Sequence, residues 1–110
     1  MPKFITFFSY TGGAAKALIE HPSDRTAAAR TLAESLGGSL ESFYWMQGTH
    51  DGFLITELPD GVAASALAAA ASATGAIVGF ETHQIFDHDE QAVLVEQAAS
   101  ALRAYKPPTS

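Results

Sequence analysis

Large apolar side chains gather in four short runs, and between the runs they recur at helical spacing. Residues 3–10, 40–46, 50–58 and 77–86 are rich in aromatic and β-branched side chains and read as strands one to four. After a break at Gly12-Gly13, residues 14–20 make a short helical turn. His21-Pro22-Ser23-Asp24 opens a helix, with proline at its first position and an acid in its first turn. Ala28, Ala29, Leu32, Ala33 and Leu36 share one face of that helix, and Gly37-Gly38 stops it. Gln47-Gly48-Thr49 is a tight turn that makes strands two and three a hairpin. Asp60 caps an alanine-rich helix that ends near Thr74 and Gly75. Asp87, with Glu90 three residues on, has the form of a capping box. The helix it opens carries Val95, Ala99 and Leu102 on one stripe and stops at Lys106-Pro107-Pro108. Residues 1–106 are therefore one domain, and residues 107–110 a short tail.

The order βαββαβ predicts an α+β, ferredoxin-like fold: a four-stranded antiparallel sheet plus a C-terminal helix. Right-handed crossovers put both connecting helices on one face. A sheet covered on one side should alternate apolar with polar residues, and these strands do not. Phe4 and Phe8 face Ile5 and Phe7 across strand one, and Phe43 and Trp45 face Tyr44 and Met46 across strand two. Phe53 and Ile55 oppose Leu54 and Leu58, and Ile77 and Ile85 oppose Val78, Phe80 and Phe86. Among the aromatics, Tyr105 alone lies outside the strands. Each large side chain that leaves water is worth roughly 1.5–3 kcal/mol, so something covers the second face. The expected cover is the same face of a second copy in a two-fold homodimer, the rival cover being the chain's own last helix. The alanine helix has no charged face and hints at a further, smaller interface, although alanine also tolerates exposure.

Composition narrows the partners. The 110 residues carry 12 acids and 6 bases, and no Lys or Arg occurs between Thr31 and Leu102. Nucleic acid and anionic membranes need clustered cations, so neither is an expected partner. Residues 61–80 are uncharged over the length of a membrane span, but alanine, serine and glycine dominate them, so they read as helix then strand. No cysteine is present, which excludes disulfides, thiolate metal sites and thiol catalysis and fits a cytoplasmic protein. The opening Met-Pro-Lys-Phe-Ile-Thr reads as a strand and shows no secretory signal.

Gly48-Thr49-His50-Asp51, opening strand three behind the aromatic strand two, carries a resemblance. With the opening Met-Pro-Lys-Phe-Ile-Thr, the helix end at residues 28–38, Phe43-Tyr44 and Leu58-Pro59-Asp60, the chain resembles the GYD-domain proteins over nearly its full length. These are small bacterial and archaeal proteins of unassigned function, named for a Gly-x-Tyr-Asp signature. The resemblance implies the dimeric α/β barrel type of ferredoxin-like fold. Gly48 and Asp51 match the signature; His50 stands where its tyrosine would be, so no role of a phenol carries over.

Several polar groups are candidates for chemistry. Gly48 shapes the hairpin turn, and Asp51 pins it by accepting backbone hydrogen bonds or pairs with His50 as acid and base. With strands one and three read as parallel neighbours, His50 and Asp51 share a sheet end with Asp87, His88 and Asp89, about 10 Å away. Those acids also suit the N-terminus of the last helix, and no His-x-His or His-x-x-x-His spacing supports a metal. His83, with Glu81 on the same face of strand four, is a general base or an edge ion pair. Tyr10, Tyr44 and Trp45 line an aromatic pocket or simply fill the core. No phosphate loop or nucleophile elbow occurs. Two functions follow, neither calling for a cofactor. One is a homo-oligomeric module that binds or senses a small apolar or aromatic molecule. The other is a cofactor-independent enzyme, a monooxygenase or isomerase, with His83 or His50 as base.

Overall fold

Alternation along the first strand sets the layering. In the computed structural model, which describes residues 1–109, Phe4, Thr6 and Phe8 of β1 (Lys3–Tyr10) are buried while Ile5 and Phe7 are half-buried on the opposite face. Ser110, the last residue of the expected tail, lies outside the described residues. β1 leads to α1 (Gly12–Glu20) and α2 (Arg25–Ser35), then to the hairpin of β2 (Ser39–Trp45) and β3 (Gly52–Glu57). α3 (Gly61–Ala73), β4 (Ile77–Ile85) and α4 (His88–Ala104) complete the chain. The strand order is β2-β3-β1-β4, every neighbouring pair is antiparallel, and the fold is ferredoxin-like.

Local chemistry starts each helix where a short polar side chain can take an orphan backbone N–H. Thr11, Asp24, Asp60 and Asp87 accept from the N–H groups of Ala14, Ala27, Ala63 and Glu90. Glu90 returns a bond to the Asp87 N–H, which completes the expected capping box. α2 begins three residues later than Pro22 suggested, with Asp24 as its cap. The short turn expected at residues 14–20 is a nine-residue helix that includes both Gly12 and Gly13.

α2 and α3 cover one face of the sheet. Phe4 of β1 and Leu58, just past β3, pack against Ala64 and Leu67 of α3, with Leu32 of α2 and its C-cap Leu36 closing the cluster. The other face stays open: Ile5, Phe7, Phe53 and Ile55 form its half-buried centre, and Tyr44 and Val78 are exposed beside them. α4 does not fold back over that face. None of its residues is buried, and the molecule is drawn out to 60 × 31 × 23 Å. Among the described residues no helix is long and apolar enough to cross a membrane, and the uncharged stretch at 61–80 divides into α3 and β4.

One expected juxtaposition is corrected. β1 and β3 are antiparallel, with Phe8 opposite Gly52 and Lys3 opposite Glu57. His50 and Asp51 therefore stand at the Tyr10 end of β1, whereas Asp87, His88 and Asp89 follow Ile85, which pairs with Lys3 at the far end. The reason is topological. A strand–helix–strand crossover returns β2 parallel to β1, and the hairpin then turns β3 back. Among the described residues no group of three His, Asp or Glu side chains converges as a metal site would require.

Candidate functional site

The packed core occupies one end of the sheet, and toward the other end α2 and α3 stand off it. Between them lies a cavity of about 370 Å³, within the usual range of small-molecule sites. Phe8, Phe43, Leu54 and Phe80 of the sheet form its floor, and Ala28, Ala29 and Leu32 of α2 with Leu67 and Ala71 of α3 form its walls. The alanines explain the space: they keep the helices regular but carry too little side chain to fill it.

A register shift shapes one wall. Strict alternation would send Ile77 and Phe80 to opposite faces, yet both line the cavity. The β1–β4 pairing slips between Phe7 and Ser9, and Gly79 takes the extra position at φ 64°. That left-handed conformation is open to glycine and costly for other residues, so the bulge rests on Gly79.

At the same end of the sheet, Tyr10 and Arg25 line the cavity. Trp45 stacks on Tyr10 at a centroid distance of 5.7 Å, and both rings lie near Phe8. Burial raises the Tyr10 phenol above its ordinary pKa; the Arg25 guanidinium opposes that rise and the Asp51 carboxylate adds to it. Thr74 is the remaining polar residue of the lining; its hydroxyl donates to the Ala71 carbonyl and accepts from the Ala76 N–H.

Other singled-out residues lie elsewhere. His50 and Asp51 precede β3 rather than belonging to it. The His50 ring packs on Phe7, on the open side of the sheet, at 5.6 Å, and its buried Nδ1 has no hydrogen-bond partner. Asp51 takes the Tyr10 N–H at 2.7 Å, while its own N–H and carbonyl bond to Phe8 and Met46. Gly48 sits in the turn at φ 126°, a value that favours glycine. Tyr44 stacks on Phe53 across the open face, so Tyr10 and Trp45 share a face and Tyr44 does not. Glu81 and His83 pair at 3.2 Å on the open face of the edge strand, opposite Phe7 and Ile5.

Arg25 was not among the residues singled out from sequence. A signal for it exists: a cation in the first turn of a helix works against the helix dipole, and α2 has no acid in that turn.

A family model described as GYD domain matches residues 4–95. No curated protein matches the chain. Among solved structures the chain is similar to a point mutant of MhuD crystallised with two manganese protoporphyrin IX molecules per active site. The identity is 19%, over 80% of this chain and 95% of that one, with a TM-score of 0.43.

Proposed function

The chain belongs to the GYD-domain family, and from that premise we propose that it is a homodimeric module that binds or senses a small apolar or aromatic molecule. The cavity under α2 and α3 carries this reading. Its walls are hydrophobic, and no histidine, carboxylate or lysine lies among its lining residues. Such a site retains an apolar molecule by removing its surface from water and offers no histidine, carboxylate or lysine base to transform it. The histidines considered as bases lie across the sheet: His50 packs on Phe7, and His83 pairs with Ile5 in register.

The second copy covers the open face. Ile5, Phe7, Phe53 and Ile55 form an apolar centre too large to leave in water, and α4 leaves it bare. Stacked sheets place identical faces together about a two-fold axis, which closes the assembly at two chains. Glu81 and His83, on the edge strand, then flank that contact. The cysteine-free composition suits a cytoplasmic setting.

Native mass spectrometry of the full chain taken directly from cells tests both parts. The expected species is a dimer that releases a small molecule on denaturation. A stable monomer at micromolar concentration would remove the stacked-sheet assembly. A dimer without cargo that also takes up no apolar dye would remove the binding reading.

A further inference from the structure

Two polar groups in the cavity lack partners. Tyr10 and Arg25 line it, and neither the Tyr10 hydroxyl nor the Arg25 guanidinium has a hydrogen-bond or ion-pair partner among the described residues. That is unexpected for arginine here, because the chain holds 12 acids and only 6 bases. The neighbouring acids are committed elsewhere. Asp24 caps α2 through the Ala27 N–H, Glu20 pairs with Lys16, and Asp51 holds the Tyr10 N–H. Arg25 is half-buried beside apolar walls, and a guanidinium so placed gains most from a planar oxyanion, which its fork of N–H donors fits two at a time. A protonated phenol beside it supplies one more donor. Everything else in the lining is apolar except Thr74, whose hydroxyl is already engaged.

We infer that the ligand is an apolar or aromatic carboxylic acid, its body in the space walled by Phe8, Phe43, Leu54, Leu67 and Phe80 and its carboxylate on Arg25 and Tyr10. This deepens the binding reading above and rests on it. The cavity volume corresponds to about a dozen waters at roughly 30 Å³ each, which sets the size at one or two rings or a short chain. Neutral molecules of the same shape leave the guanidinium without an anion, so the site discriminates by charge as well as by fit.

Two probes of matched shape test this: 2-naphthoate and its neutral carboxamide, 2-naphthamide. Each is titrated into the full chain by calorimetry and by fluorescence of Trp45, the single tryptophan, which stacks on Tyr10. The wild type is expected to bind the acid about tenfold or more tightly than the amide. Arg25→Gln, which breaks no internal bond, brings the acid down to the amide and leaves the amide within about twofold. Tyr10→Phe weakens the acid alone, by several-fold. Ala71→Trp fills the cavity from α3 and Ala28→Phe fills it from α2, and each abolishes binding of both probes.

Equal affinity for the two probes, or an acid affinity untouched by Arg25→Gln, would overturn the assignment and leave the apolar site standing. Failure of both probes to bind at millimolar concentration would overturn the binding reading as well. Acid binding that survives whichever filling variant folds would lie at another site and would also overturn the assignment.

Discussion

The carboxylate of Asp51 accepts the backbone N–H of Tyr10 at 2.7 Å. Residues adjacent in space but 41 apart in sequence are thereby tied at the cavity rim. Asp51 also continues the hydrogen-bonding of β1 and β2 through its own N–H and carbonyl. The motif residue thus fixes where β1 stops and where the Tyr10 ring stands. Asp51→Ala should lower unfolding free energy by about 1 kcal/mol, below the roughly 1.5–3 kcal/mol of a charge-assisted bond because the pair is exposed. Asp51→Asn keeps an acceptor and should recover part of that loss. Urea denaturation of both variants checks the order.

Phe7 and Phe8 are neighbours with opposite duties. Phe8 is 2% exposed under the helices, and Phe7 is half-buried on the open face. Phe7→Asp should give a folded chain that fails to pair, seen as monomer mass in light scattering. Phe8→Ala should instead cost about 3–5 kcal/mol of stability by leaving a void in the core. A Phe7→Asp protein that kept the dimer mass would count against stacked sheets.

The half-buried Tyr10 predicts an alkaline limb in stability. Its pKa is raised in the folded chain, chiefly by burial, while the unfolded tyrosine ionises near 10.0. The folded state therefore holds its proton where the unfolded state loses it. That contribution is fully present below about pH 10 and is lost as pH climbs through the raised native value. Tyr10→Phe should flatten the decline in urea midpoint above pH 10 and should remove a late-titrating component from the phenolate absorbance of the wild type.

α4 depends on its own cap, since no residue of it is buried. Asp87→Ala removes the bond to the Glu90 N–H and should destabilise the helix by about 1 kcal/mol. Faster hydrogen exchange in the first turn of α4, with β1 and β3 unchanged, is the expected signature.

Much of this was legible residue by residue. Asp60 and Asp87 announce their helices because a carboxylate three residues ahead of an open N–H is a local relationship, whereas Asp24 reads as a first-turn acid until the structure shows it to be the cap of α2. The double-sided apolar strands announce an uncovered face, because side chains alternate with period two whatever the tertiary arrangement. Tyr10 and Trp45 could be named as aromatic candidates, but their separation from Tyr44 follows from which face the helices cover. Arg25 stayed hidden because a single cation in a helix reads as surface until the opposing wall is known.

From sequence alone come the elements, their caps and the greasiness of both sheet faces, all set by interactions within a few residues. Tertiary structure alone decided that β1 and β3 oppose each other, which parts His50 and Asp51 from Asp87, His88 and Asp89. It also decided that α4 leaves the sheet bare, and that α2 and α3 arch over a space reached by Tyr10, Phe80 and Arg25. The difference is physical: a cap needs one neighbour on the chain, whereas a cavity is the gap left when distant helices meet a sheet and their side chains are too small to fill it.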